Sequence, residues 1–574
     1  MIDTDAIAGH LAKITEQESK IIQATLEKPK QESFGDLAFP CFMLAKKSRK
    51  NPVEIAKDIE NKWNNTRETT AFCTAKATGP YVNFIITAQQ AVTNILKPLL
   101  EGKTIFKQTD SPQTILIESP GPNTNKPLHL GHLRNMLLGS TIKRIYGLRG
   151  HNTHIVNVIN DRGIHICKSM LAYKKWGMKK TPESEGIKSD HFVGYYYVLY
   201  AKKAGESEEA RQELEEQAKN MLRLWEQGDE ETIKLWKKMN EWVYEGFEQT
   251  YETLDFNIDK NYYESETYKG GKDLIMEGLE KGIFERDKTG AIIINLEKKG
   301  LGKKVLLRKD GTSVYITQDL NMGWLRYKDF AFDSMIYVVA NEQEYHFKVL
   351  FETFKALDFP FAKQCHHFSY GMVELPSGKM KSREGTVIDT DDLIKEMTEL
   401  AREEVKKRYD DLEDSQIKER SESIALSAIR FFFLKHDPLK NFVFDKDESL
   451  SFEGETGPYV QYTHARISSI LRKSGCSPTT EKTNKLDSED EKSLILLLGE
   501  FDEILDSALR QLKPSSLCHY LIRVCQKFNS YYAKHQIIQD DKDVEQARIN
   551  LIKGVQRILA IGLDILSIDA LERT

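Results

Sequence analysis

Residues 115–159 constrain the fold more strongly than any other part of the 574-residue chain. Residues 115–117 form a short, fully apolar run of the kind found in buried parallel strands. A loop rich in Pro, Gly and Asn follows, then a helical pattern from about His129, and then a second apolar strand over 154–159. Strand, loop, helix and strand in this order predict the βαβ unit of a doubly wound nucleotide-binding domain.

The pattern along the chain predicts four regions. Helix, turn and strand signals indicate a small α/β domain over residues 1–105, followed by a Rossmann-type α/β domain over 106–395. A charge-rich stretch predicts a helical connective insertion at about 170–300. Helices are then expected to continue through a connecting region, 396–450, and an all-α carboxy-terminal domain, 451–574.

Composition excludes several classes of protein. The 82 basic and 87 acidic residues leave a formal charge of -5, which argues against a chain whose whole surface binds nucleic acid. No uncharged apolar run of about 18 residues is present, so we expect no membrane span. The charged amino terminus argues against an export signal. Seven scattered cysteines without a CxxC pair favour reduced thiols, and together these features predict a cytoplasmic protein.

The first chemical motif is the segment after the first apolar strand, ESPGPNTNKPLHLGHLRN, residues 118–135. His129 and His132 are three residues apart, so they share one face of a first helical turn. A helix start offers free N–H groups and a positive dipole end, which suit phosphate, and Gly131 would let a flat base approach closely. Two histidines on a polar face are the alternative interpretation. Zinc is disfavoured because no further ligands stand at metal spacing.

Charge supports the phosphate interpretation. Residues 119–160 contain no Asp or Glu, although the overall composition would place about six there. The same window holds five cations: Lys126, Arg134, Lys143, Arg144 and Arg149. A local positive field is what a polyphosphate site needs.

The second chemical motif is SGKMKSREGT, residues 377–386. Two glycines frame a loop that carries Lys379, Lys381 and Arg383. Such a loop can place positive charge on a leaving pyrophosphate as negative charge develops there. A solvated charged loop is the alternative.

A second acid-free basic run covers residues 507–539 and includes four aromatic residues, Tyr520, Phe528, Tyr531 and Tyr532. Cations interleaved with aromatic rings suit single-stranded bases, which stack on the rings while their phosphates are neutralised. The alternative is an amphipathic core helix whose aromatic residues point inward.

Together the two chemical motifs resemble the HIGH and KMSKS signatures of class I aminoacyl-tRNA synthetases, in the right order and about 250 residues apart. More specifically, NKPLHLGHLRN, GMVELPSGKMKSREGT, SFEGETGPYVQYTHARI and FNSYY resemble arginyl-tRNA synthetases, and the resemblance touches every predicted domain. The resemblance implies that ATP and L-arginine form arginyl-adenylate and pyrophosphate, after which the arginyl group passes to arginine tRNA with release of AMP. It also implies Mg²⁺ carried with ATP, a monomer, and no further metal.

The resemblance assigns the chemistry of activation to named residues. The catalytic group is Lys126, His129, His132 and Lys379. The ATP-binding group is His129, Gly131, His132, Lys379, Met380, Ser382 and Arg383. Ser382 stands where the strict signature has lysine, and in the arginyl family a lysine just before HIGH is thought to compensate. Lys126 occupies that position.

Substrate contacts are assigned in the same way. The arginine-binding group is Glu118, Asn123, His129, Tyr315, Asp319 and Gln343, and the tRNA-binding group is Asn83, Tyr459, Tyr462 and Tyr532. An isolated Asp319 could instead be a helix cap. Residues 1–105 resemble the domain that meets the tRNA elbow, and 451–574 the anticodon-binding domain. Many relatives end in a methionine that contacts the anticodon loop, whereas Thr574 ends this chain.

Three rival functions are disfavoured by particular residues. Another class I synthetase would lack the guanidinium pocket, so Glu118, Tyr315 and Asp319 argue against it. A small nucleotidyltransferase shares HxGH but has no α-helical RNA domain of this kind. A non-catalytic RNA-binding paralogue would not need His129, His132 and Lys379.

Overall fold

The computed structural model describes residues 4–29, 31, 34–66, 69, 73–103, 106–177, 179–268, 270–374, 389–408 and 412–573. No helix among them is long and apolar enough to cross a membrane. The seven cysteines are free, and all except the half-buried Cys476 are buried.

The amino-terminal part is a small α/β unit, whose described residues form four helices and a three-stranded antiparallel sheet. Its elements are α1 (Thr4–Thr15), α2 (Ser19–Thr25), β1 (Leu37–Pro40), α3 (Phe42–Ser48), α4 (Pro52–Asn64), β2 (Thr74–Thr78) and β3 (Tyr81–Ile85). The sheet order is β1-β3-β2. Asn51 caps α4 by accepting a hydrogen bond from the Val53 N–H at 2.9 Å, and Pro52 occupies the first turn, where its missing N–H costs nothing. Short helical segments, α5 (Ala88–Ala91), a π turn (Val92–Leu96) and α6 (Lys97–Leu100), lead to the next region.

The central region is built on a five-stranded parallel sheet. Its strands are β4 (Thr114–Glu118), β5 (Asn152–Ile159), β6 (Lys260–Tyr263), β10 (Ser334–Ala340) and β11 (Cys365–Tyr370). The order β11-β10-β4-β5-β6 is doubly wound, because the chain runs outward from β4 in one direction and then returns to β4 and runs outward in the other. Helix α7 (Leu130–Leu148) connects β4 to β5, so the βαβ unit predicted from the sequence is present.

Helices dominate the insertion, but they do not fill it. After α7 come α8 (Ile164–Trp176), α9 (Pro182–Glu185), α10 (Ser189–Ala204), α11 (Glu208–Gln227), α12 (Glu230–Thr253), α13 (Glu264–Thr267) and α14 (Gly271–Glu280). The expectation of a helical segment to about residue 300 is wrong for its last part. There β6 completes the main sheet, and β7 (Glu285–Arg286), β8 (Ile292–Leu296) and β9 (Gly302–Leu307) form a separate antiparallel sheet.

Two more helices complete the parallel-sheet region: α15 (Tyr315–Phe330) before β10 and α16 (Glu344–Ala356) after it. The strands β12 (Val373–Glu374) and β13 (Phe442–Val443) pair with each other and tie this region to the helical part that follows.

The carboxy-terminal part is helical, as predicted. Its helices are α17 (Thr390–Arg408), α18 (Asp414–Lys435), α19 (Lys446–Leu450), α20 (Gly457–Ser474), α21 (Glu489–Gly499), α22 (Phe501–Gln511), α23 (Ser515–Lys534) and α24 (Lys542–Ile565). An apolar core that extends from Ile7 to Ile568 joins the amino-terminal unit, one face of the parallel sheet and these helices, so they pack as a single body.

Candidate active site and tRNA interface

The loop after β4 lies where ligands bind in doubly wound sheets. Strand order reverses between β4 and β10, and the carboxyl ends of these strands border a crevice. The Gly121 N–H donates to Asn157 Oδ1 at 3.0 Å, and Ser119 Oγ lies 2.6 Å from Asn135 Oδ1. These bonds fix the loop to β5 and α7, so the histidine motif starts from a rigid base.

His129 and His132 form one stacked pair at the start of α7. Their ring centroids are 3.8 Å apart and the planes differ by 17°. His129 is the N-cap: its Nδ1 accepts from the Gly131 N–H at 3.1 Å, and its own N–H donates to His132 Nδ1 at 3.2 Å. Because both Nδ1 atoms accept hydrogen bonds, each neutral ring carries its proton on Nε2. The pair therefore presents two N–H donors, which suit phosphate oxygens.

Glycine at position 131 leaves room for the His129 ring. A Cβ there would lie 3.0 Å from Cε1 and 3.1 Å from Nδ1 of His129, tighter than ordinary contact. The sequence interpretation gave Gly131 the role of admitting a flat base; the structure adds that it makes room for the histidine ring.

Both histidines are held neutral. Burial and then the charge of Lys126 lower the pKa of His129 to about 3. Burial, His129 and Lys126 lower the pKa of His132 well below its ordinary value. A neutral ring still donates a hydrogen bond through Nε2–H, but it lacks the acidic second proton of an imidazolium and so does not protonate the pyrophosphate.

Lys126 is the cation nearest to this pair along the chain. It is half-buried, burial lowers its pKa, and no carboxylate among the described residues forms an ion pair with it. Helix α10 supports this position, because a Cβ at Gly194 would lie 2.7 Å from Pro127 Cδ and 3.5 Å from Lys126 Cα. An unpaired ammonium beside two N–H donors makes an anion site.

Four predicted ATP ligands, Lys379, Met380, Ser382 and Arg383, lie outside the described residues. The description resumes at Asp389, which forms an antiparallel bridge with His129, and the Thr390 N–H donates to the Leu128 carbonyl at 2.8 Å. The chain that follows the second motif, from Asp389 onward, thus lies against the first motif.

Residues that the sequence analysis missed hold this junction. Asp391 contacts Lys188 Nζ at 2.7 Å, His191 Nε2 at 2.9 Å and Thr250 Oγ1 at 2.9 Å. Hydrogen bonding and the surrounding carboxylates raise the pKa of His191 against the opposing effect of burial, and burial raises the pKa of Asp389 to about 6. Only their position in the sequence could have indicated these residues, because Asp389 and Asp391 come directly after the second motif.

Asp190, His191 and Asp391 also place one ligand atom each within 4.8 Å of one another, a spacing that could hold a metal ion. However, the Lys188 ammonium lies 2.7 Å from Asp391 and 3.5 Å from Asp190. It supplies the positive charge that these carboxylates require, so we interpret the cluster as a structural ion-pair network that holds residues 389–391 against α10 and α12.

Two of the predicted arginine ligands lie on α15. Tyr315 begins this helix with 82% of its surface exposed, and Asp319 follows one turn later. Asp319 is inside the helix and contacts His346 Nε2 at 2.6 Å, so it is not a helix cap. Gln343 is exposed in a short turn directly after β10. Asn123 is exposed in the loop after β4.

Glu118, at the carboxyl end of β4, is paired with a buried arginine of α15. Its Oε2 lies 2.5 Å from Arg326 Nη1. Arg326 and His346, the partners of the two predicted carboxylates, were missed by the sequence analysis. Helical spacing could have indicated Arg326, which is seven residues after Asp319 and therefore on the same face.

The local positive field predicted from residues 119–160 is weaker in space than in sequence. Lys143 pairs with Asp259 at 2.9 Å, and Arg144 pairs with Asp255 at 2.6 Å. Arg149 pairs with Asp502 and with Asp506. Arg134 is buried, where its guanidinium donates to backbone carbonyls of Pro438 and Lys440. Lys126 and Arg134 are thus the cations of this window that form no ion pair with a described carboxylate, and backbone carbonyls already occupy the Arg134 guanidinium.

The carboxy-terminal tyrosines form a common surface. Arg466 Nη2 donates to the Tyr462 hydroxyl at 3.1 Å, and its guanidinium lies over the rings of Tyr462 and Tyr532. Asn529, bonded to Arg466 at 3.1 Å and to the Tyr459 hydroxyl at 2.9 Å, joins the third tyrosine to them. A cavity of about 450 Å³ opens beside Tyr532 and Arg466. Rings next to a guanidinium suit unstacked bases.

Other aromatic residues of the 507–539 run belong to the core. Tyr520, Phe528 and Tyr531 are buried, and only Tyr532 is exposed. The core-helix interpretation is therefore correct for three of the four rings.

The prediction that Asn83 contacts tRNA is not supported by its position. The side chain lies on β3 with 2% of its surface exposed, and Nδ2 has no hydrogen-bond partner among the described residues. A direct contact between the Asn83 side chain and RNA would require the residues that cover it to move away.

Comparison with known proteins gives matches along nearly the whole chain. Residues 4–86 match the model for "Arginyl tRNA synthetase N terminal domain", 92–446 that for "tRNA synthetases class I (R), catalytic domain", and 460–573 that for "DALR anticodon binding domain".

Curated relatives and solved structures agree with these models. An arginine–tRNA ligase of Treponema denticola is 43% identical and covers 96% of this chain and 95% of its own, and one of Parabacteroides distasonis is 40% identical over 99% of both. Thermus thermophilus arginyl-tRNA synthetase superposes with a TM-score of 0.81 at 27% identity, covering 96% of each chain. The Plasmodium falciparum structure, with a TM-score of 0.79 at 22% identity over 99% of each chain, shares the fold.

Proposed function

The chain belongs to the arginyl-tRNA synthetase family, and from that premise we propose which of its residues carry the reaction. The enzyme is an arginine–tRNA ligase of class I: it uses ATP to form arginyl-adenylate, releases pyrophosphate, and transfers the arginyl group to arginine tRNA with release of AMP. The assignments below concern how this chain performs those steps.

Activation depends on the stacked pair at the start of α7. The Nε2–H groups of His129 and His132 donate to phosphate oxygens as charge builds up on the pentacoordinate phosphorus, since preformed donors stabilise a transition state without reorganising. Lys126 adds a full positive charge at the same place. Gly131 completes the ATP-binding turn, and Lys379, Met380, Ser382 and Arg383, which lie outside the described residues, complete the site from the second motif.

Arginine selection depends on carboxylates. Glu118 and Asp319 accept from the substrate's cationic groups, and Asn123, His129, Tyr315 and Gln343 line the rest of the pocket. A guanidinium has five donors in a planar fork, so carboxylates at fixed positions favour it over amino acids that would leave them unpaired. Mg²⁺ arrives with ATP, held mainly by phosphate and water oxygens, and we assign it no protein ligand.

The tRNA is recognised by the carboxy-terminal helices. Tyr459, Tyr462 and Tyr532 stack on anticodon-loop bases, with Arg466 between them. The amino-terminal unit meets the tRNA elbow through residues other than the buried Asn83. The enzyme acts as a monomer in the cytoplasm.

The observation that carries the proposal is the neutral, stacked histidine pair at the start of α7, beside Lys126, which has no acidic partner among the described residues. The test is ATP–pyrophosphate exchange with each amino acid in turn, with and without arginine tRNA. We expect exchange with arginine, and, by family resemblance, only when the tRNA is present. Exchange with a different amino acid, or none under either condition, would refute the assignment.

A further inference from the structure

Arg326 is a buried cation that lies directly behind the proposed arginine pocket. It belongs to α15, the helix that also carries Tyr315 and Asp319, and 1% of its surface is exposed. Its Nη1 lies 2.5 Å from Oε2 of Glu118, whose side chain is 18% exposed. One member of this ion pair is therefore interior, and the other reaches the crevice.

The guanidinium of Arg326 is held in place by two strands. Its central carbon lies 5.6 Å from the ring centroid of Tyr262, on β6, and 5.6 Å from that of Tyr337, on β10. Tyr337 is also the residue opposite Glu118 where β10 pairs with β4. Arg326 thus has little freedom to move, and the direction of the Glu118 side chain follows from it.

The pairing leaves part of Glu118 available. Arg326 engages Oε2, and no described residue donates a hydrogen bond to Oε1. Among the described residues, Glu118 is the one carboxylate that pairs with Arg326. The Nε and Nη2 atoms of Arg326 are buried, and neither has a hydrogen-bond partner among these residues. Burial opposes the charge on Arg326, but Glu118 reverses this and raises its pKa, so the pair stays ionic.

We infer that Arg326 is a positioning residue for amino-acid selection: it fixes one oxygen of Glu118 inside the protein, so that the other oxygen is presented to the substrate arginine. The inference rests on the proposed contact between Glu118 and arginine. Without Arg326, a half-buried carboxylate would lose its counter-charge, and it would turn toward water or take another partner.

The test compares Arg326→Met and Arg326→Lys with the wild-type enzyme in pyrophosphate exchange. Loss of positioning should raise the KM for arginine by about 10- to 100-fold, as expected for a misplaced charged hydrogen bond, and leave the KM for ATP within about two-fold. Lysine keeps the charge but not the planar geometry, so Arg326→Lys should give a smaller increase.

A double-mutant cycle separates positioning from general stability. Glu118→Gln alone should raise the KM for arginine, and adding Arg326→Met to it should have little further effect, because the interaction has already been lost. Arg430→Lys is the matched control. Arg430 is equally interior but donates to the backbone carbonyls of Leu254 and Ser567, so its change should lower thermal stability without altering the KM for arginine.

Three results would overturn the inference. In the first, Arg326→Met and Arg326→Lys both fold and leave the KM for arginine unchanged. In the second, the KM for ATP rises in parallel, or the double-mutant effects are additive. In the third, Glu118→Gln has no effect, although the wild-type enzyme shows arginine-dependent exchange. If Arg326→Met fails to fold, the KM for arginine of Arg326→Lys alone tests the inference. Absence of arginine-dependent exchange in the wild type would instead refute the proposed function.

Discussion

At the scale of single residues, Lys126 is the cation whose loss we expect to matter most. It is half-buried next to the stacked histidines, without an acidic partner among the described residues. Lys126→Ala should lower pyrophosphate exchange by about 100-fold or more, as for the loss of one electrostatic group at a phosphoryl centre, and should be as damaging as Lys379→Ala. Lys143→Ala is the control, because Lys143 lies on α7, the helix that the histidines begin, but is already paired with Asp259. Near-normal exchange in Lys126→Ala would contradict the proposed role.

The neutral His129 leads to a prediction about stability and pH. Its pKa is about 3 in the folded protein, against 6.5 for an ordinary histidine, so between these values the unfolded chain binds a proton that the folded chain does not. The stability contributed by neutral His129 is therefore complete above pH 6.5 and decreases as pH falls toward 3. At pH 5 the loss is at most about 2 kcal/mol.

Urea unfolding at pH 7.5 and pH 5.0 checks this prediction. Asparagine is a good N-cap, so His129→Asn should keep the start of α7. The fall in unfolding free energy between the two pH values should be smaller in this variant than in the wild type by up to about 2 kcal/mol. An equal decrease in unfolding free energy in both proteins would show that folding does not lower the pKa of His129.

Residue types and their spacing predicted the histidine pair, and the family resemblance pointed to the tyrosines, but neither indicated the partners of these residues. The sequence placed His129 and His132 on one face of a helix, and their stacking agrees. It did not indicate that Asn83 is buried or that Arg326 lies behind Glu118. Those contacts join positions far apart along the chain, and the packing of strands and helices determines them.

At the scale of secondary-structure elements, α7 links the catalytic motif to the anticodon-binding helices. The stacked histidines begin the helix, and Arg149, at its end, donates to the Asp502 carbonyl at 2.7 Å and pairs with the Asp502 and Asp506 carboxylates. The side chains of Arg149 and Asp502 are 7% and 6% exposed. One helix thus connects the activation site mechanically to α22.

Removing Arg149 should therefore destabilise the enzyme strongly. Arg149→Ala leaves the Asp502 carboxylate buried without its main counter-charge, at a cost of about 3 kcal/mol or more in unfolding free energy. Arg144→Ala, one turn earlier, removes more exposed pairs with Asp255 and Asp564 and should cost less than about 1 kcal/mol. Chemical denaturation measures both, and equal costs would contradict the view that burial makes Arg149 important.

Long periodic elements were predicted better than short ones. The sequence indicated β4, α7 and β5 because an apolar strand, a loop and a helix each leave a strong local pattern. It missed β1 and β7–β9, which have two to six residues each and are strands only through pairing with neighbours. It also missed β6, which lies inside a helical stretch and completes the edge of the main sheet.

At the scale of the whole molecule, charge that looks uneven along the sequence is largely compensated in space. The acid-free run 507–539 holds Lys513, Arg523 and Lys534, yet these pair with Asp437, Glu500 and Asp490 from other segments. A window of sequence therefore overestimates the positive field that tRNA meets. The cations that matter are those which remain unpaired after folding.

Two residues on α23 allow this idea to be tested in tRNA binding. Arg523 pairs with Glu500 at 2.9 Å, whereas Lys527, four residues later, has no ion pair with a described carboxylate. Binding of arginine tRNA should weaken as salt rises, because cations that contact phosphates release counterions. Lys527→Gln should reduce the slope of log Kd against log salt concentration by about one, while Arg523→Gln should change it much less. Fluorescence titrations at several KCl concentrations measure the slopes. Equal slopes in the two variants, or an unchanged slope in Lys527→Gln, would contradict the idea. Either result would mean that a cation's ion pairing in the folded protein does not determine whether it binds tRNA.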